Sequence, residues 1–230
     1  FALKINRNIL KIFMENLHLE ILDDKRRLIF NQLSHFKSLG YLAGGTALAL
    51  QIGHRVSYDF DIFCPEEIKA NFPARVRDKI NIKETLVNSG DEFTFLTEAD
   101  VKVSFIYYPF KLENLTIEDK NLPIKLLSPL GVAVSKAYAL NRRNVWRDYL
   151  DIYYVVKNGL ATLDDIIRLA REVYKELFSE KLFLAQLVYT DDIASVEIVK
   201  MRLLKEAVGL EEVKAYFKRA VDDYWHKTVI

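Results

Sequence analysis

The chain has 230 residues, of which 50% are hydrophobic and 28% are charged, as is ordinary for a globular protein with a buried core. The formal net charge is +1, so nucleic-acid binding would depend on a local basic patch. The one cysteine, Cys64, excludes an internal disulfide and suggests a reducing compartment and a core position. No membrane-spanning stretch or secretory signal is visible, so we expect a cytoplasmic protein without a membrane partner.

Hydrophobic periodicity predicts two helices within residues 1–37, followed by strand, helix and strand within 40–63. A short helix interrupted at Pro73 is predicted at 65–79. Three strands joined by tight turns, a polar loop and a last short strand are expected next. Their predicted ranges are 80–88, 92–98 and 101–108 for the strands, 111–120 for the loop and 122–127 for the last strand.

The second half of the chain is predicted to be almost entirely helical. The predicted helices are 129–142, 146–158, 163–178, 181–188, 193–207 and 210–226. We therefore expect an α/β core at 1–127 and an α-helical region at 128–230, with a cleft between them that completes the active site.

A glycine turn begins the stretch 42–63, which is the most informative part of the chain. Gly44 and Gly45 follow a short apolar run and precede Thr46 and a run of helix formers, which predicts a strand, a tight turn and a helix start. The free N–H groups at a helix N-terminus favour phosphate. We therefore predict a phosphate site at these three residues.

Two aspartates follow in an alternating pattern at 57–63. Side chains at i and i+2 share one face of a strand, so Ser57, Asp59 and Asp61 are predicted to line the same face. Carboxylates about 7 Å apart along a strand repel each other unless a cation lies between them, and Mg²⁺ or Mn²⁺ suits such oxygen ligands. Arg55, just before them, is a candidate phosphate ligand.

Each motif alone is weak, because a Gly-Gly pair is usually just a turn and an Asp-x-Asp pair is usually a solvated strand edge. Together, GGTALAL followed by HRVSYDFDIF resembles the nucleotidyltransferase-fold toxins of the AbiEii/AbiGii family. The resemblance implies an α/β (α+β) fold, with a mixed sheet and flanking helices followed by a helical C-terminal half. It also implies a bacterial or archaeal toxin with a cognate antitoxin, and relatives that modify tRNA acceptor ends make RNA the expected acceptor.

A second block, LSPLGVAVSKAYALNRRNVWRDYLDIYYV, resembles a later motif of that family at Lys136, Asp148 and Asp151. The two aspartates are three residues apart, so they share a face of one helix. We predict that Lys136 contacts phosphate and that one aspartate holds this lysine, positions the acceptor or activates its hydroxyl. The alternative is a structural salt bridge between two packed helices.

Ser104 departs from the expected metal site. Many nucleotidyltransferase folds place a third carboxylate on a later strand, and the candidate strand 101–108 has a serine at that position. A serine brings no charge, so we expect weaker metal binding or a third acid from Asp148 or Asp151. The alternatives are a polar residue on an outer face and a catalytically degenerate domain.

A local basic patch is predicted at Arg142, Arg143 and Arg147, with Trp146 and Tyr149 as candidate surfaces for stacking on RNA. The alternative is a solvated loop with its aromatic residues in the core, which we favour for Trp146.

These features predict a metal-dependent enzyme that joins the α-phosphorus of a nucleoside triphosphate to an acceptor oxygen and releases pyrophosphate. The predicted metal ligands are Asp59 and Asp61. The other predicted catalytic or nucleotide-binding residues are Gly44, Gly45, Thr46, Arg55, Ser57, Lys136, Asp148 and Asp151. Two alternatives are a nucleotidyltransferase for small molecules of the aminoglycoside type, and a degenerate domain that binds nucleotide or a protein partner.

Overall fold

The computed structural model of the chain describes residues 17–191, 193, 201–205 and 208–228. The chain divides into two compact units, Phe1–Ser128 and Pro129–Ile230. They are called the N-terminal unit and the C-terminal unit below.

A seven-stranded mixed sheet forms the centre of the N-terminal unit. Its strands are β1 (Tyr41–Ala43), β2 (Phe60–Cys64), β3 (Ile82–Asn88), β4 (Glu92–Thr97), β5 (Lys102–Tyr107), β6 (Thr116–Ile117) and β7 (Leu126–Leu127). Their spatial order is β3-β4-β5-β2-β1-β7-β6. Strand β2 pairs antiparallel with β1 and parallel with β5, so the strand that carries the predicted aspartates lies in the middle of the sheet.

One face of this sheet packs into a largely aromatic core. Phe60, Ile62 and Cys64 alternate toward it and are buried. The ring of Phe105 contacts those of Phe36 and Phe72, with centroids 5.2 and 4.8 Å apart. Burial raises the pKa of the Cys64 thiol to about 12, which makes it an unreactive core cysteine and confirms its predicted position.

Three α-helices and three short 3₁₀ turns complete the described part of the N-terminal unit. The helices are α1 (Asp24–Gln32), α2 (Gly44–Ile52) and α3 (Phe72–Arg77), and the turns are Leu19–Ile21, Leu33–Phe36 and Glu113–Leu115. The helix predicted at 65–79 was too long, because Pro73 lies in the first turn of α3. A residue without an N–H is tolerated there, so this proline begins the helix instead of interrupting it. The first predicted helix, at the N-terminal end of the range 1–37, lies outside the described residues.

The three strands predicted between 80 and 108 are confirmed with small differences at their ends. The predicted loop 111–120 also contains β6, and the strand predicted at 122–127 is limited to β7. The main-chain N–H of Asn121 donates a hydrogen bond to the Asp119 carboxylate over 2.7 Å. This contact belongs to a turn that precedes β7.

Strand β3 forms one edge of the sheet, and most of its residues are exposed. Its antiparallel pairing with β4 shifts register twice, between Ile82 and Glu84 and between Thr85 and Val87. The edge strand is therefore irregular along much of its length.

The described part of the C-terminal unit is helical. Its helices are α4 (Pro129–Leu140), α5 (Trp146–Lys157), α6 (Leu163–Tyr174), α7 (Glu180–Val188) and α8 (Leu210–Thr228), with a 3₁₀ turn at Lys175–Leu177. Helix α4 is central, because it packs on α5, α6 and α7. The helix predicted at 163–178 ends at Tyr174, because Lys175 adopts a φ of 50°. The helix predicted at 193–207 lies mostly outside the described residues, and 201–205 are not helical.

Candidate active site

The glycine turn joins β1 directly to α2, as predicted. Strand β1 ends at Ala43 and the helix begins at Gly44, whose φ of 64° is strained for any residue with a Cβ. A Cβ on Gly44 would also lie 3.0 Å from Oδ2 of Asp61. The Asp61 carboxylate therefore lies against the first residue of α2.

Gly45 makes room for the side chain of Arg55. A Cβ on Gly45 would lie 1.8 Å from Nη2 and 2.8 Å from Cζ of Arg55, and Arg55 is only 5% exposed. The guanidinium is thus held against the first turn of α2, where the helix end also favours anions. The sequence predicted this glycine as part of a tight turn at a phosphate site, and the structure adds a packing reason for it.

The hydroxyl of Thr46 forms hydrogen bonds to the segment that precedes β2. Thr46 Oγ1 lies 2.7 Å from Ser57 Oγ and also hydrogen-bonds the main-chain carbonyl of Asp59. Both hydroxyl residues are buried. These contacts attach the segment before β2 to the N-terminal turn of α2.

Strand β2 starts at Phe60, so the strand predicted from residue 57 was wrong at its beginning. The ladder with β1 ends at the pair Ala43 and Asp61, because the chain turns into α2 at the next residue. Asp59 therefore lies just before the strand, and Asp61 lies within it.

A lysine that the sequence analysis did not select lies beside Asp59. Lys102 Nζ is 3.2 Å from Asp59 Oδ2, and both side chains are 39% exposed. The parallel register that pairs Phe60 with Val103 places residue 102 next to residue 59. Knowledge of this register would have revealed the contact, but the register is a long-range property that the local pattern does not contain.

The second predicted motif forms a buried ionic cluster between α4 and α5. Lys136 Nζ lies 2.5 Å from Asp148 Oδ1 and 3.4 Å from Asp151 Oδ2. Arg143 Nε lies 2.9 Å from Asp148 Oδ2, and both aspartates are fully buried. Burial alone would raise the pKa of Asp148, but the charges of Lys136 and Arg143 outweigh it and hold that pKa below its usual value. The structure thus brings the three predicted residues together as a salt bridge between packed helices.

Comparison with known proteins identifies the family. Residues 27–226 match the model of the family described as "Nucleotidyl transferase AbiEii toxin, Type IV TA system". The chain belongs to the AbiEii nucleotidyltransferase toxin family. A curated relative, the uncharacterized protein aq_aa25 of Aquifex aeolicus strain VF5, is 32% identical over 187 residues, which cover 80% of this chain and 87% of that protein.

Solved structures support the fold of this AbiEii family member. A proposed nucleotidyltransferase from H. pylori aligns with a TM-score of 0.57 and 18% identity, covering 87% of this chain and 95% of that one. JHP933 from Helicobacter pylori aligns with a TM-score of 0.57 and 17% identity, covering 92% of this chain and 96% of that one. The family model thus confirms the predicted family and its assignment as a nucleotidyltransferase, and the solved structures confirm the predicted fold class. No helix in the described part of the chain is long and apolar enough to cross a membrane.

Nucleotidyltransferases generally use divalent metal ions, and the donor set of the AbiEii chain fits such an ion. Mg²⁺ keeps several waters and is bound by one or two carboxylates together with substrate phosphates. The Asp61 carboxylate lies against the glycine turn, and Asp59, two residues earlier, is tied to the same helix start through its main-chain carbonyl. Among the described residues no group of three or more His, Cys, Asp and Glu side chains is placed to hold a metal, so water and phosphate would supply the other ligands.

Ser104 lies where the sequence analysis expected a third acid. It pairs with Asp61 across the β2–β5 ladder, on its other side it faces Thr94 of β4, and it is buried. The AbiEii chain therefore has a neutral hydroxyl next to Asp61.

In the predicted basic patch the three arginines are exposed, but the two aromatic residues are buried. Trp146 and Tyr149 are 1% and 0% exposed, because they lie on the inner side of α5. The prediction that they stack on RNA is therefore wrong. Arg142 instead covers the ring of Tyr138, with Cζ 3.6 Å from the ring centroid.

Proposed function

We propose that this chain is a divalent-metal-dependent nucleotidyltransferase that transfers a nucleoside monophosphate from a triphosphate to RNA, with tRNA as the leading acceptor. In this proposal it acts as the toxin of a pair with a cognate antitoxin. The observation that carries the proposal is the cluster at the start of α2. There, the Asp61 carboxylate lies against Gly44 and the Arg55 guanidinium lies against Gly45.

This cluster suits the charges of a metal-bound triphosphate. The N–H groups at the helix start and the forked guanidinium of Arg55 are donors for phosphate oxygens. Asp59 and Asp61 would hold Mg²⁺ or Mn²⁺, which would neutralise charge on the transferring phosphoryl group. The absence of a Cβ at Gly44 and Gly45 leaves room for the Asp61 carboxylate and the Arg55 guanidinium. Thr46 and Ser57, predicted as nucleotide ligands, support the site by holding Asp59 in place.

The reaction exchanges one P–O bond for another. A hydroxyl oxygen of the acceptor forms a bond to the α-phosphorus, the bond from that phosphorus to the bridging oxygen breaks, and pyrophosphate leaves with the electron pair. The hydroxyl proton passes to a base. Since no protein nucleophile is needed, positioning and charge neutralisation provide most of the catalysis.

Lys136, Asp148 and Asp151 retain their predicted roles, phosphate contact and acceptor positioning, within this proposal. Their observed contacts favour a stabilising role, because each of the three charges is paired within the C-terminal unit. A loss of transfer in a folded Lys136 variant would support the catalytic role, whereas a loss of stability alone would support the structural one.

The test uses each labelled nucleoside triphosphate with Mg²⁺ or Mn²⁺ and total tRNA. The parent should label RNA with at least one nucleotide, and an Asp59→Asn, Asp61→Asn double variant should not. Asp100→Asn is the matched control, because Asp100 is an exposed carboxylate of the same unit paired with Lys83, and it should retain transfer. Expression of the parent, but not of the double variant, should arrest growth.

The alternatives predict different results. Label in an added aminoglycoside but not in RNA would favour the small-molecule enzyme. Nucleotide binding without transfer to either acceptor would favour the degenerate domain, for which Ser104 beside Asp61 is the supporting observation.

A further inference from the structure

We propose that Lys102 is a positioning residue that holds Asp59 in the nucleotide-free enzyme and moves to the triphosphate when metal and nucleotide bind. This inference rests on the proposed function. If Lys102 acts in this way, the affinity of Asp59 for metal depends on bound nucleotide. The reaction alone does not require this dependence.

Lys102 occupies the place of a cation on Asp59. Its ammonium nitrogen lies 3.2 Å from Asp59 Oδ2, within the space that a cation bound to that oxygen would need. The contact is set by the β2–β5 register, which pairs Phe60 with Val103. It is therefore a consequence of the fold and not of a chance side-chain rotamer alone.

Lys102 and a metal ion would compete for the Asp59 carboxylate. A divalent ion on Asp59 and an ammonium group on the same carboxylate would repel each other at short range. Serine at position 104 adds no negative charge to offset that repulsion. Metal alone should therefore bind weakly while Lys102 stays on Asp59.

The side chain of Lys102 is free to move. Its side chain is 39% exposed, and a lysine is a point charge on a flexible stem of four carbons. A triphosphate bound at the start of α2 would offer the ammonium group several new oxygens. Metal and nucleotide would then each strengthen the binding of the other, as thermodynamic linkage requires.

The experiment measures Mn²⁺ binding by electron paramagnetic resonance, with and without non-hydrolysable α,β-methylene nucleoside triphosphates. Lys102→Met should bind Mn²⁺ alone about two- to fivefold more tightly than the parent, as expected for the loss of an exposed ion pair. It should bind the analogues about tenfold more weakly in the presence of Mn²⁺, as expected for the loss of a charged hydrogen bond. Lys102→Arg should restore the analogue affinity in part.

Lys83→Met is the matched control. Lys83 also forms an exposed ion pair in the N-terminal unit, with Asp100 at 2.6 Å, and its loss changes the net charge equally. Mn²⁺ and analogue affinities should both stay at the parent values in this variant.

The outcomes separate the inference from the proposed function. If Asp59→Asn weakens Mn²⁺ binding but Lys102→Met leaves it at the parent value, the role of Lys102 is overturned while the metal site stands. If neither the parent nor Lys102→Met binds Mn²⁺ even with an analogue, the proposed metal site is wrong and the inference fails with it. Opposite changes in metal and nucleotide affinity in Lys102→Met would establish the exchange, since a merely structural lysine would not produce them.

Discussion

Gly45→Ala tests the contact between the glycine turn and Arg55. The new Cβ would lie 1.8 Å from Nη2 of Arg55, so the guanidinium must leave its buried position. Overpacking of this kind costs about 1–3 kcal/mol, and the better helix propensity of alanine offsets about 0.5–1 kcal/mol of it. We expect a net loss of roughly 0–2.5 kcal/mol in the free energy of unfolding.

The decisive comparison is the same substitution in an Arg55→Ala background. With the guanidinium removed, Gly45→Ala should stabilise the protein by about 0.5–1 kcal/mol, so the sign of its effect reverses. Urea unfolding followed by far-ultraviolet circular dichroism gives both values, and Gly90→Ala is the control, because a Cβ there meets nothing within 4 Å. Equal effects of Gly45→Ala in the two backgrounds would show that Arg55 does not occupy that space.

Three further predictions concern the buried charges and Ser104. Lys136→Met should lower the free energy of unfolding by about 3–5 kcal/mol, because it removes the cation that two buried carboxylates share. Arg143→Met, whose parent side chain is 48% exposed, should cost at most about 1 kcal/mol. Both losses can be measured by urea titration followed by tryptophan fluorescence, and equal losses in the two variants would contradict a central role of Lys136 in the cluster. Because the pKa of Asp148 is held below its usual 3.8, its contribution is present above that pH and is lost as the pH falls toward the lowered pKa. The free energy of unfolding should therefore drop more between pH 5 and pH 2.5 in the parent than in Asp148→Asn. Parallel plots of unfolding free energy against pH for the two proteins would show that the Asp148 carboxylate makes no such contribution. Ser104→Asp should bind Mn²⁺ more tightly and be less stable without metal, whereas Ser104→Ala should change metal affinity little; an aspartate without effect on affinity would place residue 104 outside the metal site.

Much of the fold could be predicted from local patterns in the sequence. Alternation of apolar and polar residues predicted β4 and β5, and the glycine pair after a short apolar run predicted the β1–α2 turn. These features depend on neighbouring residues along the chain, so the sequence contains them directly. The AbiEii family and its fold followed from motifs in the same segments.

The parts that could not be predicted depend on contacts between distant segments. Strand β2 starts late because its ladder with β1 ends at Ala43 and Asp61, and Thr46 holds the preceding segment through Ser57 and Asp59; no strand pattern contains these contacts. The Lys102–Asp59 ion pair depends on the register of two parallel strands. In the same way, the space that Arg55 requires at Gly45 appears only when the helix and the following loop are placed together.

The irregular edge of the sheet affects the association of this protein with other copies of itself. An exposed edge strand offers unpaired main-chain groups to other chains, and β3 also exposes Leu86 and Val87 by 45% and 38%. The two register shifts along β3 twist the strand, so a straight strand from another molecule cannot pair along its length. We therefore expect this irregularity to disfavour edge-to-edge pairing and aggregation, although the edge exposes apolar side chains.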